Sequence, residues 1–183
     1  LPQVLDWLVA HAPDALCLQE TKLEDGNFPV AAIEAAGYHA TYSGQKTYNG
    51  VAILTRRPVS AIHRDIPGFD DLQKRVIAVT LAGVRIVCAY VPNGESVESD
   101  KYRYKLAWLN ALTGWLRTEL TQHHALAVLG DYNIAPEDRD VHDPQAWAGK
   151  VLCSAAERAA YAQLTGLGMK DAFRLFEQPD KSF

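Results

Sequence analysis

Short apolar runs, each closed by a turn signal, constrain this chain more than any other feature. Ala15–Leu18, Val51–Leu54 and Leu126–Leu129 are apolar at every position. Runs of that length and composition read as strands buried on both faces. Tyr38–Tyr42, Val59–His63, Val76–Leu81 and Val84–Val91 continue the strand pattern, with Gly83 as a hairpin signal between the last two. Four helices are expected beside them. Leu1, Val4, Leu5, Leu8 and Val9 make one helical face over Leu1–His11. Phe28–Ala36 reads as a short helix stopped at Gly37. Lys101–Gln122 is the longest, with Trp108, Leu109, Leu112, Trp115, Leu116 and Leu120 as its apolar face. Ser154 and Glu157 spell a capping box that opens a helix to about Leu164. Residues 137–153 form a long irregular segment, and Asp171–Arg174 is expected to start a further strand. Strands outnumber helices, and hairpin connections mix with helical crossovers. That balance predicts two sheets packed on each other with helices outside, a doubly wound single sheet being the alternative.

Three of these strands end in groups that a core would not choose. Ala15–Leu18 leads into Glu20, Val84–Val91 contains Tyr90, and Leu126–Leu129 runs through Gly130 into Asp131 and Asn133. Gly130 lets the backbone bend or approach a neighbour closely. If the chain stays extended there, Asp131 and Asn133 project from one face. A carboxylate at a strand end needs a partner, water or a metal. Glu, Asp, Asn and Tyr together can hold a hard cation, activate a water and stabilise phosphoryl oxygens. The same residues also make ordinary Asx-turns.

Composition narrows the class. Of 183 residues, 48% are apolar and 22% charged, so the chain is of the globular rather than the disordered kind. No apolar run reaches the roughly 20 residues that span a bilayer. A net charge of −4 argues against coating nucleic acid wholesale but leaves room for a local basic face. Cys17, Cys88 and Cys153 are scattered, without metal-ligand spacing. They are read as buried hydrophobes in a reducing, cytoplasmic compartment. His11, His39, His63, His123, His124 and His142 are read as structural or solvated.

Four motifs occur in order: Leu18-Gln19-Glu20-Thr21-Lys22, Gly50-Val51-Ala52-Ile53-Leu54, Tyr90-Val91-Pro92-Asn93-Gly94-Glu95 and Gly130-Asp131-Tyr132-Asn133-Ile134-Ala135-Pro136. Together they resemble the exonuclease III family of DNA-repair nucleases, within the endonuclease/exonuclease/phosphatase superfamily. The resemblance implies a four-layer α/β sandwich, two mostly antiparallel or mixed sheets flanked by helices. It also implies Mg²⁺- or Mn²⁺-dependent cleavage of double-stranded DNA beside abasic sites and at 3′ ends, by a monomer. Glu20 would be the metal ligand. Asp131 would position or activate the attacking water, and Asn133 would orient the site and the phosphate. Tyr90 would lie near the scissile phosphate. Lys22, Gln45, Lys46, Tyr48, Asn49, Arg75, Asn93, Lys101, Arg103 and Lys105 are the expected DNA-backbone contacts.

The family's first-strand Asn, its C-terminal Asp and its Asp-His pair have no counterpart in residues 1–183, so the chain reads as one incomplete domain. On its own it is expected to be poorly stable and nearly inactive. A superfamily phosphodiesterase acting on RNA or phospholipid, and a catalytically inactive DNA-binding paralogue, remain the alternatives.

Overall fold

The computed structural model describes residues 1–178. The chain divides into two compact units: Leu1–Tyr90 with Glu119–Asp131, and Val91–Thr118 with the chain from Tyr132 onward.

The first unit holds both sheets. Helix α1 (Pro2–His11) ends where Ala12 turns left-handed and returns its N–H to Leu8 O. Then come β1 (Ala15–Gln19), α2 (Val30–Ala35), β2 (His39–Ser43), β3 (Val51–Thr55), β4 (Ser60–Arg64), β5 (Val76–Leu81) and β6 (Val84–Tyr90). Helix α3 (Asp100–Gln122) precedes β7 (Leu126–Asp131). One sheet is antiparallel in the order β1-β3-β2. The other runs β4-β5-β6-β7, antiparallel except for the parallel β6–β7 pair. The expected architecture of two sheets flanked by helices is what the chain forms.

Alternation along β3 explains the layering. Val51 and Ile53 face the second sheet, packing with Ile77, Val79, Leu81, Ile86 and Cys88. Ala52 and Leu54 point the other way, against Leu8 of α1, Ile33 of α2 and Tyr38. Successive strand side chains alternate faces, so a strand apolar at every position serves two cores at once. Burying each large aliphatic side chain contributes about 1.5–3 kcal/mol. On the second sheet, buried Arg85 donates through Nε to Glu119 Oε2 at 2.5 Å and through a terminal nitrogen to Ala61 O at 2.6 Å.

Three expectations change. Ala15–Leu18 and Leu126–Leu129 are not buried on both faces: β1 and β7 are edge strands among the described residues, and Leu129 is 45% exposed. An edge strand lacks the neighbour that would cover its outer side. Asp171–Arg174 does not begin a strand. Asp171 Oδ1 accepts from Phe173 N, and a single 3₁₀ turn follows over Phe173–Leu175. This is the competition that a short acidic side chain offers to extended backbone. The irregular stretch 137–153 is ordered by a 3₁₀ turn at Asp138–Asp140 and by α4 (Pro144–Trp147).

The second unit contains most of α3 together with α4 and α5 (Ala155–Thr165). Its α5 opens on the expected capping box: Ser154 Oγ accepts from Glu157 N, and Glu157 accepts from Ser154 N.

Gly130 shows what sets the β6–β7 register. It pairs with Ala89 and has φ +148°, and a Cβ placed there would lie 1.8 Å from Ala89 O. Neither backbone can yield without breaking the ladder. Gly130→Ala is therefore expected to lower stability by about 3 kcal/mol, at the upper end of overpacking costs. Urea unfolding of the variant against the parent checks this, and a loss within 0.5 kcal/mol (about the spread of neutral surface changes) would contradict it.

Candidate active site

In the first unit, three strand ends meet. β1 finishes at Gln19 and the chain turns at Glu20, which takes φ +54°. Tyr90 closes β6, and its hydroxyl donates to Glu20 Oε1 at 2.8 Å. Asp131 closes β7 as the register partner of Tyr90 on the adjacent parallel strand. The polar ends that the sequence singled out on three separate runs thus gather at one end of the sheets. Glu20 and Asp131 are exposed to solvent and Tyr90 is half-buried.

Electrostatics in this cluster have nameable sources. Lys22 Nζ lies 2.7 Å from Glu20 Oε2, and Lys22 and Tyr90 hold the Glu20 carboxyl below the usual glutamate range. Burial, then the bond to Glu20, pushes the Tyr90 hydroxyl above the ordinary phenol value. Tyr90 is therefore a hydrogen-bond donor at neutral pH, not a base. Arg75 stacks its guanidinium over the Tyr90 ring, 4.6 Å from the centroid, and donates to Tyr90 O at 3.3 Å. The backbone N–H of Tyr90 bonds back to Arg75 O at 2.7 Å. Arg75 thus orients the tyrosine and brings positive charge beside the carboxylate.

Two loops buttress the same end. Thr21 N and Lys22 N donate to Gly50 O and Asn49 O. Buried Asn49, at φ +56°, donates through Nδ2 to Gln45 Oε1 and Gln73 Oε1, both at 3.2 Å. Gln45 also accepts from Lys74 N, and Gln73 from Arg75 Nε. Asn49 and Gln45 thereby hold the loop together, a role that the sequence did not reveal. Lys46 and Tyr48 project from that loop, Tyr48 at 68% exposure.

Asn133 and Asn93 lie in the second unit. Asn133 takes φ +48°, so the chain is not extended through it and the expected shared face with Asp131 is not formed by strand alternation. Its Nδ2 donates to Val91 O at 3.0 Å, and its Oδ1 accepts from Asn93 Nδ2 at 3.2 Å. The two asparagine side chains are locked together. Lys101 is exposed and pairs with Glu95 at 3.3 Å, and exposed Arg103 pairs with Asp100.

Lys105 corrects the sequence reading. It is fully buried, with Nζ 2.5 Å from Glu157 Oε1, and offers no surface to a DNA phosphate. The signal was present in the sequence. Lys105 stands four and seven residues before Leu109 and Leu112, on the apolar face of α3, where a charged side chain is buried along with the stripe. Glu157 was legible only as part of a capping box.

The donor chemistry suits a hard divalent cation. Mg²⁺ takes one or two carboxylates and keeps several waters, and Glu20 is an exposed carboxylate already attracting an ammonium. Among the described residues, no three His, Cys, Asp or Glu side chains converge as metal ligands. Nor is any helix among them long and apolar enough to cross a membrane.

Sheets flanked by helices, with carboxylates gathered at strand ends, define a class of α/β sandwich. The profile of the Endonuclease/Exonuclease/phosphatase family matches residues 2–167. Exodeoxyribonuclease III of Haemophilus influenzae is 34% identical over 94% of this chain and 70% of its own length. A 3′ phosphatase from Neisseria, solved bound to a product DNA hairpin, is 47% identical with a TM-score of 0.90. That alignment covers 91% of this chain and 65% of the other. An AP endonuclease from Archaeoglobus fulgidus superposes with a TM-score of 0.85 at 36% identity, over 90% of this chain and 64% of the other. The chain belongs to this family, in its exonuclease III branch. It spans about two thirds of the length of these relatives.

The lowered Glu20 carboxyl gives a pH prediction. A carboxyl depressed by folding contributes stability above its unfolded value, and that contribution fades as pH falls through its lowered folded value. Glu20 should accordingly titrate below an ordinary glutamate in a side-chain carboxyl NMR titration. Lys22→Met should move its midpoint upward, and Tyr90→Phe should do so by less. A Glu20 midpoint at the free-glutamate value in the parent would refute the pairing.

Proposed function

We propose that the protein containing this chain is a divalent-metal-dependent DNA-repair nuclease. It hydrolyses phosphodiesters beside abasic sites and removes nucleotides or blocking groups from 3′ ends, as in base-excision repair. One observation carries the reading: Tyr90 is bonded to Glu20 and stands in register beside Asp131, so three strand ends present one polar cluster. Family membership and the DNA-acting relatives support it.

In this reading Glu20 would hold Mg²⁺ or Mn²⁺, which would supply positive charge to the phosphoryl oxygens. Asp131 accepts a proton from the attacking water, whose oxygen adds to phosphorus as the P–O3′ bond breaks, and the departing O3′ takes a proton from solvent. Tyr90, held protonated, keeps the Glu20 carboxylate oriented by donating its one O–H to Oε1. Asn133 orients the phosphate with its carboxamide, its own rotamer fixed by Val91 O and Asn93. Lys22, Lys46, Tyr48, Arg75, Asn93, Lys101 and Arg103 track the DNA backbone without reading its sequence. Gln45 and Asn49 serve that surface by holding the loop that carries Lys46 and Tyr48, and Lys105 is excluded from it by burial.

An end-labelled duplex with one abasic site tests this, using the full-length protein with Mg²⁺ or with EDTA. The parent should cut only with Mg²⁺. Glu20→Gln and Asp131→Asn should each lower kcat by about a hundred- to ten-thousand-fold, the range for a lost catalytic group. A folded parent that binds the duplex without cutting would point to a non-catalytic paralogue. Cleavage of RNA or a phosphoinositide in preference to DNA would move the assignment within the superfamily.

A further inference from the structure

The second unit contains a buried cation that the chemistry above does not use. Lys105 Nζ donates to Glu157 Oε1 at 2.5 Å, to Asn133 O at 2.6 Å and to Asn93 O at 3.0 Å. An ammonium has N–H donors only, and these three oxygens are among its acceptors. Glu157 is committed in turn. Its Oε1 also accepts from Leu152 N, and its Oε2 accepts from Ser154 N and from Ser154 Oγ. Tyr102, one turn before Lys105 on α3, bonds Ser154 Oγ at 2.5 Å through its hydroxyl. Gly94, at φ +97°, closes over the lysine stem, where an added Cβ would meet Lys105 Cδ at 3.1 Å.

We propose that Lys105, held by Glu157, is a positioning residue for the asparagine pair Asn133 and Asn93. The inference rests on the nuclease reading of Asn133. Two backbone carbonyls, one on each asparagine, are drawn to the same ammonium, and the two side chains then meet at 3.2 Å. A left-handed residue such as Asn133 persists only where its surroundings over-determine it. A buried charge supplies that determination, because releasing either carbonyl strands part of an ammonium away from water. The result is a carboxamide whose direction is set from behind, by a residue that touches no substrate. Outer partners of this kind hold catalytic groups within the tolerance that chemistry demands.

The test uses the full-length protein on the abasic duplex with Mg²⁺. Lys105→Met is combined with Glu157→Gln, so that no unpaired charge is left buried. Lys105→Arg keeps the charge but replaces the three-way ammonium by a planar fork. Both are expected to lower kcat by about 10- to 100-fold, as loss of an outer positioning partner does, with KM and the salt dependence of binding near the parent's. The loss should largely vanish when Asn133→Ala is already present, since both changes then remove one function. A risen KM with a shallower salt slope would mean that Lys105 contacts DNA and would overturn the role. So would an unchanged kcat, or an equal fold-loss with and without Asn133→Ala. If the Met/Gln pair does not fold, the Arg variant carries the same readouts. A folded parent that cuts nothing defeats the nuclease reading and this role with it, whereas a cutting parent with unaffected variants defeats the positioning role alone.

Discussion

The close approach of β7 to β6 is the constraint on which the first unit's chemistry depends. Parallel pairing puts Ala89 opposite Gly130 and Tyr90 opposite Asp131. Only a residue without a Cβ tolerates Ala89 O at that spot. A slip of one residue would turn each side chain to the opposite face. Asp131 would then no longer stand beside Tyr90, and the carboxylate would lose its place next to the Tyr90–Glu20 bond. One glycine contact thus determines which side chains share the strand end.

In both units the backbone is bent into conformations that most side chains avoid. Glu20, Lys22, Asn49 and Asn133 all take positive φ. Each costs energy that neighbouring contacts must offset. The offsets are visible: Thr21 and Lys22 bond to Gly50 and Asn49, Asn49 bonds to Gln45 and Gln73, and Asn133 bonds to Val91 and Asn93.

The second unit reaches a comparable end by charge. A buried ion pair is weak evidence of stability, because desolvating both ions offsets much of their attraction. The Lys105–Glu157 pair is better understood through geometry. Its hydrogen bonds reach the loops at Asn93 and Asn133, the segment at Leu152 and the first turn of α5. An apolar replacement could fill the volume but could not tell those carbonyls where to point.

The sequence by itself determined most of the elements and marked the polar groups at the strand ends. Apolar runs at strand length marked β1, β3, β5, β6 and β7, since burial on a sheet leaves that pattern in the chain. Ser154 and Glu157 marked the start of α5, because a cap is local chemistry. Glu20, Tyr90 and Asp131 stood out as polar ends on apolar runs. What only the tertiary structure decided is non-local. Sheet order made β1 and β7 edges among the described residues, so their apolar runs are half-covered. Buried Asn49 became a loop staple through Gln73, 24 residues away. Lys105 became a buried cation because Glu157, 52 residues on, meets it. A charge's worth depends on which oxygen and how much water lie beside it, and chain order alone carries neither.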